Sequence, residues 1–154
     1  MNPNPDNFTH LDKHVKINLA ENVALMECAV GDEKGYSFFA LGSGSGTGHL
    51  SNEGAFKVQT VRLDDIVKEK GVSPDFIKID AEGAGMLVLT GANQLITDKK
   101  PVIYLSTHGD EVHRKCCSFL QDRDYRLEPI LGNDVQTTRE LVCYPFSDKS
   151  YQAQ

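Results

Sequence analysis

Two carboxylates, Asp80 and Glu82, stand where an apolar run ends, in Asp75-Phe76-Ile77-Lys78-Ile79-Asp80-Ala81-Glu82-Gly83-Ala84. Side chains of this type can hold a cofactor amine, take a proton from a substrate, or bind a metal ion. Gly83 lets the backbone turn sharply into the next element. The plainer alternative is that one of the two acids only caps the helix that follows. A second polar cluster, Ser106-Thr107-His108-Gly109-Asp110, follows the apolar run 101–105. Histidine is the side chain best suited to general base work near neutral pH, so His108 is a candidate for that role. The alternative is a histidine satisfied by structural hydrogen bonds. Asp110 is expected to be the N-cap of the next helix. If the two clusters meet, Asp80, Glu82 and His108 would make an acid–base site or, ranked far below it, a metal site of oxygen and nitrogen donors.

Other motifs carry less. His10 and His14 share one face of a helical pattern, but no third ligand accompanies them, and a solvated face is the simpler reading. Residues 42–48 (GSGSGTG) have a glycine at every second position, which is not the G-x-G-x-x-G spacing, and no P-loop lysine follows. A hairpin connection is expected there, with or without a role as a lid over a substrate. Cys116 and Cys117 lie inside a helical pattern with no base beside them, so a thiol nucleophile is not expected. The four cysteines form neither a disulfide framework nor a zinc pattern, and reduced, mostly buried thiols in a cytoplasmic protein are the plain reading.

The elements that must position these groups follow from periodicity. Phe8, Leu11, Val15 and Leu19 recur at helical spacing, with Asp6 or Asn7 as the cap. Residues 23–30 (VALMECAV) read as a strand buried on both faces. Strands are expected at 36–41, 57–61, 76–80 and 101–105, with short ones at 125–127 and 141–144. Helices are expected at 63–70, where Gly71 and Pro74 stop the chain, along 83–96, and at 110–121. Alternating strands and helices imply an α/β sheet, mainly parallel. In such sheets ligands sit beyond the carboxyl ends of the strands, which directs attention to the residues after Val30, Ile79 and Leu105.

The 154 residues suffice for one domain with a real core. Charged residues make up 25% and apolar residues 40%, the balance of an ordinary globular chain. A net charge of −6 with scattered basic residues argues against nucleic acid as a partner. No apolar run is long enough to cross a membrane, and the start of the chain lacks the pattern of a secretory signal.

Taken in order, several segments resemble the FkbM family of methyltransferases. The signature is the segment 76–84 followed by Val88-Leu89-Thr90-Gly91-Ala92. Asn22-Val23, Cys28-Ala29-Val30-Gly31-Asp32, Gly35 with Phe38-Phe39, Val61-Arg62-Leu63-Asp64-Asp65-Ile66 and Lys100-Pro101-Val102-Ile103 agree in order and spacing. The resemblance spans residues 3–145. It implies a Rossmann-like class I methyltransferase sheet and transfer of a methyl group from S-adenosylmethionine to an oxygen of a sugar or other small metabolite. On the same analogy Ala29, Val30 and Asp32 border the adenine. Asp80 faces the methyl group and the hydroxyl acceptor, and Glu82 and His108 orient or deprotonate that hydroxyl.

The chain also departs from the family pattern. Gly85 and Ser106 stand where acids are usual, and Asn2 stands at the position of the ribose-binding acid. The first two strands and the Gly-rich cofactor turn are expected to be lacking, so that residues 1–147 form a partial domain and 148–154 a tail. Two unpaired strand edges would follow, open to self-association. Two functions are therefore expected to compete: a methyltransferase domain that works as part of a longer enzyme, and a non-catalytic binding module of the same fold. Activity of the chain on its own is left undecided by the sequence.

Overall fold

The computed structural model describes residues 1–40, 49–51, 54 and 56–146. The Gly-rich run 42–48 and the tail 148–154 lie outside the described residues. Helix α1 (Pro5–Ile17) starts at Asn4, whose side chain accepts from the backbone N–H of Asp6 at 3.0 Å and Asn7 at 3.4 Å. The cap thus falls before the expected Asp6 or Asn7. Pro5 has no N–H to satisfy and fits the first helical position, which shifts the start upstream. The helix ends at Asn18, and Leu19 turns left-handed and lies exposed, so the expected apolar stripe stops one turn short.

Four strands follow: β1 (Ala29–Val30), β2 (Gly35–Ala40), β3 (His49–Ser51) and β4 (Phe56–Val61). They form a sheet in the order β1-β4-β2-β3, in which only β1 and β4 run parallel. The long strand expected at 23–30 shrinks to two residues. Its sole ladder among the described residues, to β4, has the pairs Ala29 with Thr60 and Val30 with Val61, and Val23 is exposed. An apolar run without a partner strand has nothing to hold it extended.

Helix α2 (Leu63–Lys70) closes on a left-handed Gly71 and leads to β5 (Phe76–Asp80). Helices α3 (Gly85–Gly91) and α4 (Asn93–Lys99), strand β6 (Val102–Ser106), helix α5 (Asp110–Gln121), and strands β7 (Tyr125–Pro129) and β8 (Glu140–Pro145) complete the chain. The second sheet has the order β5-β6-β8-β7, with β5 and β6 parallel and the other pairs antiparallel. The expectation of a mainly parallel sheet is therefore corrected: of the six strand pairings described, two are parallel. β2 pairs with β3 and β7 with β8, each pair consecutive in the chain, and consecutive strands that lie side by side run antiparallel.

The core lies between the second sheet and helices α3 and α5. Ile79, Ile103, Leu105, Leu141 and Cys143 point from the strands onto Leu89, Cys116 and Leu120. Tyr125 is buried there, and its hydroxyl donates to the carbonyl of Pro101 at 2.9 Å. Alternation along the strands sends Phe76, Lys78, Asp80 and Tyr104 to the opposite, open face.

The single helix expected along 83–96 is broken at Ala92 into α3 and α4. Two contacts fix the break. A Cβ placed on Gly91 would collide with the carbonyl of Gly31, so the end of α3 rests directly on the turn after β1. Helix α4 has no capping side chain of its own. Asp64, from α2, accepts from Gln94 N at 3.1 Å and Leu95 N at 2.9 Å and caps it from 30 residues away.

Candidate active site

Strand β5 delivers Asp80 at its carboxyl end, and the turn at Gly83, with φ 71°, carries Glu82 beside it. Strand β6 ends one residue short of Thr107, and His108 follows. Because β5 and β6 are parallel with Asp80 opposite Ser106, both strand ends open on the same side. There the imidazole of His108 sits between the two acids. Its Nε2 lies 3.1 Å from Asp80 Oδ1, and its Nδ1 lies 3.2 Å from Glu82 Oε2. The second oxygen of Asp80 accepts from Lys78 Nζ at 3.0 Å. The ammonium of Lys78, and after it His108, hold the Asp80 carboxyl below the usual carboxylate range.

This arrangement bears on the metal reading. The two ring nitrogens of His108 point in opposite directions, each toward a different carboxylate, so the three side chains do not converge on one point. Among the described residues, no group of three or more His, Cys, Asp or Glu is arranged to hold a metal ion. What the three groups can do is hold and pass a proton. A charged ring donates to both acids, and a neutral ring donates to one and leaves the other nitrogen free to accept.

Asp80 and Glu82 also border a cleft of about 400 Å³ between the two sheets. Its walls are the β1 segment with Cys28, Ala29 and Val30, and the β5 segment from Ile77 to Glu82. Asn2 and Asn4 reach it from the start of the chain. The edges of β1 and β5 that face it have no strand neighbour among the described residues. Of the residues expected to border a cofactor, Ala29, Val30 and Asp80 line this cleft. Asp32 does not: it lies exposed in the turn after β1, whose backbone Gly91 covers.

Several other expectations meet their structural context here. Asp110 is the first residue of α5 rather than its cap, a place taken by Gly109, and the Asp110 carboxylate pairs with Arg139 at 2.5 Å. Ser106 is buried and donates to Glu140 Oε2 at 2.7 Å, so β8 brings a carboxylate to the strand end where β6 itself has none. Buried His113 lies 2.8 Å from Thr107 Oγ1 through Nδ1, and its Nε2 donates to the carbonyl of Val135 at 2.7 Å. His10 and His14 are exposed on α1. The four cysteines are buried and unpaired, and burial pushes the Cys116 thiol up to about 11 and the Cys143 thiol to about 12, which leaves both unreactive. No described helix is long and apolar enough to cross a membrane.

Lys78 was not among the residues singled out from the sequence. The period of two along 76–80 carries the signal, since it puts Lys78 on the face of Asp80. Glu140 had no such signal, because its register depends on how the connection 130–139 folds back.

A family model described as the methyltransferase FkbM domain matches residues 1–127. No curated protein matches the chain. Among solved structures, the crystal structure of methyltransferase FkbM from Methylobacillus flagellatus KT is similar over 92% of this chain, with a TM-score of 0.64 and 18% identity. At that identity the likeness speaks for the fold, and this chain spans about a third of that one, 34% of its length. The family match covers most of the chain, including both walls of the cleft and the Asp80–His108–Glu82 cluster, and the chain belongs to the FkbM methyltransferase domain family.

Proposed function

We propose that this chain carries the acceptor side and part of the cofactor side of an S-adenosylmethionine-dependent methyltransferase that modifies a hydroxyl oxygen of a small sugar-like or secondary metabolite as part of a longer enzyme. The observation that carries the reading is the imidazole of His108 held between Asp80 and Glu82 beside a cleft of ligand size. A volume of about 400 Å³ is in the range of small-molecule sites. Its lining suits the group: Ala29, Val30 and Val88 offer apolar surface, and Asn2, Lys78 and Asp80 offer polar atoms. The bound cofactor would supply a methyl group on a sulfonium, which leaves as a neutral thioether.

The chain's residues then divide the work. Asp80, ionised at neutral pH, accepts from Nε2–H of His108 and fixes the ring, as a carboxylate does for a catalytic histidine elsewhere. With that tautomer, Nδ1 offers a lone pair beside Glu82. A hydroxyl that displaces Glu82 Oε2 from its place 3.2 Å from Nδ1 has both groups as acceptors for its one proton. Nδ1 would take the proton of that hydroxyl as it is methylated, and Glu82 and Asp80 would stabilise the charged ring. The open face around Asp80 and His108 leaves room for a hydrophilic acceptor.

Calorimetric titration of the purified chain with S-adenosylhomocysteine tests the cofactor half. Binding is expected, and its absence both in the folded chain and in the longer enzyme would overturn the reading. In the longer enzyme, His108→Gln is expected to slow methyl transfer by about 10²–10⁴-fold with S-adenosylhomocysteine affinity unchanged. A full rate in that variant would remove His108 from the chemistry.

The edges of β1 and β5 support a second reading, a non-catalytic module that recruits a partner, including another copy of itself, along a strand edge. It requires no cofactor binding and a defined oligomer. A monomer at high concentration in light scattering counts against it.

A further inference from the structure

The strands of the second sheet carry three acids: Asp80 on β5, Glu128 on β7 and Glu140 at the start of β8. Asp80 pairs with Lys78 and His108, and Glu128 pairs with Arg126. Glu140 alone has no basic partner among the described residues. The guanidinium of the adjacent Arg139 is taken up by Asp110 and by the carbonyls of Gln136 and Thr138. Among the described residues, the Glu140 carboxylate has one hydrogen bond, accepted by Oε2 from the Ser106 hydroxyl at 2.7 Å. Its other oxygen, Oε1, is left for a ligand.

A solvated glutamate at a strand end has an ordinary explanation, since most glutamates lie at the surface. That explanation does not account for how this one is placed and held. Asp80 lies opposite Ser106, and Ser106 lies opposite Glu140, so the three side chains form one row across β5, β6 and β8 on the open face. His108 stands at the Asp80 end of that row. Ser106 is buried, and its bond draws the Glu140 carboxylate over β6, about 4.8 Å, or one strand spacing, from β5. The groups of the row thus lie within reach of one sugar-sized molecule. With His108 neutral, Asp80, Glu82 and Glu140 outweigh Lys78 by two negative charges, so this rim repels an anionic acceptor and attracts a cationic one.

We infer that Glu140 determines the acceptor's class: its Oε1 accepts from a protonated amine of an amino sugar, whose neighbouring hydroxyl is the one methylated beside His108. The assignment rests on the methyltransferase reading above and concerns the acceptor alone. Glu140 lies outside residues 1–127, which the family model matches, so the family does not assign it. The Ser106 hydroxyl fixes Oε2 and so aims Oε1, and the amine supplies the positive charge that Arg139 does not. A neutral sugar fits the same row but leaves the Glu140 charge unbalanced.

Two probes of nearly equal shape test the role. D-glucosamine has a protonated amine where D-glucose has a hydroxyl. NMR shift titration with each probe is the experiment, on the wild-type chain, on Glu140→Gln and on Glu128→Gln. Glu140→Gln keeps an oxygen for Ser106, and Glu128→Gln removes the same charge elsewhere on the sheet. Glu140 is exposed, so solvent screens the contact and the expected preference is modest. Glucosamine should bind the wild-type chain about fivefold tighter than glucose, with shifts at both His108 and Glu140. Glu140→Gln should abolish the preference, and Glu128→Gln should keep it. Equal affinity of the wild-type chain for the two sugars, binding of neither, a preference that survives Glu140→Gln, or an equal loss in both variants would overturn the assignment. Titration with S-adenosylhomocysteine keeps the two readings apart. Its binding without an amino-sugar preference overturns the role of Glu140 alone, and its failure to bind both the folded chain and the longer enzyme overturns the methyltransferase reading whatever the sugars do.

Discussion

Removing the Asp64 carboxylate tests how the two sheets are joined. Asp64 Oδ1 accepts from Leu95 N at 2.9 Å, and Oδ2 accepts from Gln94 N at 3.1 Å and from Arg62 Nη2 at 3.2 Å. The side chain is 7% exposed, and Ala92, the residue at the start of α4, provides no side-chain cap. Loss of a helix cap costs about 0.5–2 kcal/mol. A buried amide left without an acceptor adds about 1–3 kcal/mol. Gln94 is near enough to the surface for water to take over its bond, so the second cost applies to Leu95 alone. Asp64→Ala should therefore destabilise the chain by about 2–3 kcal/mol, and Asp64→Asn, which keeps an acceptor, by about 1 kcal/mol. Urea unfolding measures both, and the slope should not change if the folded state stays intact. Arg62 supplies a cross-check, because its Nε is already buried without a hydrogen-bond partner. In an Arg62→Met background the Asp64→Ala cost should shrink, since no guanidinium is left unpaired. A loss below about 0.5 kcal/mol for Asp64→Ala would place the residue in the class of ordinary surface substitutions and refute the argument.

Other expectations follow from the same geometry. Gly91→Ala forces a methyl group into the Gly31 carbonyl and should cost about 1–3 kcal/mol, with amide shifts concentrated at Gly31 and Asp32 in NMR spectra; wild-type stability would mean the two turns are not in contact. His113→Leu leaves the Val135 carbonyl without its donor and should cost about 1–3 kcal/mol, and limited proteolysis should then cut faster within 130–139. The Asp80 carboxyl is depressed in the folded chain, so its contribution to stability is present above the ordinary carboxylate range and is lost as pH falls through its folded value. The group is 47% exposed, which keeps that contribution within the small range of surface pairs. Lys78→Met should move the Asp80 titration upward in carboxylate-detected NMR, and an unchanged curve would show that the ion pair is not formed in solution.

Much of the candidate site was legible because it depends on local chain features. Asp80 and Glu82 follow a strand whose apolar residues announce it, and the strand after it runs parallel, so His108 had to emerge on the same side. Alternating α and β segments sufficed for that inference. The corrections arise where tertiary partners decide. The run 23–30 is apolar enough for a strand, yet β4 pairs with only two of its residues. The break at Ala92 adjoins a glycine, Gly91, but one glycine in a helical pattern does not by itself end a helix. The break comes from a neighbouring turn that presses on Gly91 and from a cap supplied by α2. The antiparallel majority of pairings reflects which strands end up side by side, which a count of strands and helices does not reveal.

The same contacts explain why the cleft has a defined width although no ladder crosses it. The two sheets share no described strand pairing, so hydrogen bonds between strands cannot set their separation. Three other features can. Val30 packs against the core of the second sheet and against the cluster of Cys28, Val61 and Ile66, Gly91 rests on the backbone of Gly31, and Asp64 ties α2 to the first turn of α4. All three involve side chains or backbone at close range, and packed contacts of this kind do not stretch gradually. The segments Val61-Arg62-Leu63-Asp64 and Leu89-Thr90-Gly91-Ala92, both part of the family resemblance, thus have a physical role in placing the walls of the cleft. They hold the wall that carries Ala29 and Val30 at a fixed distance from the wall that carries Lys78 and Asp80. A substitution in either segment should therefore lower affinity for a ligand that touches both walls more than for one that touches a single wall, even though neither Asp64 nor Gly91 lines the cleft.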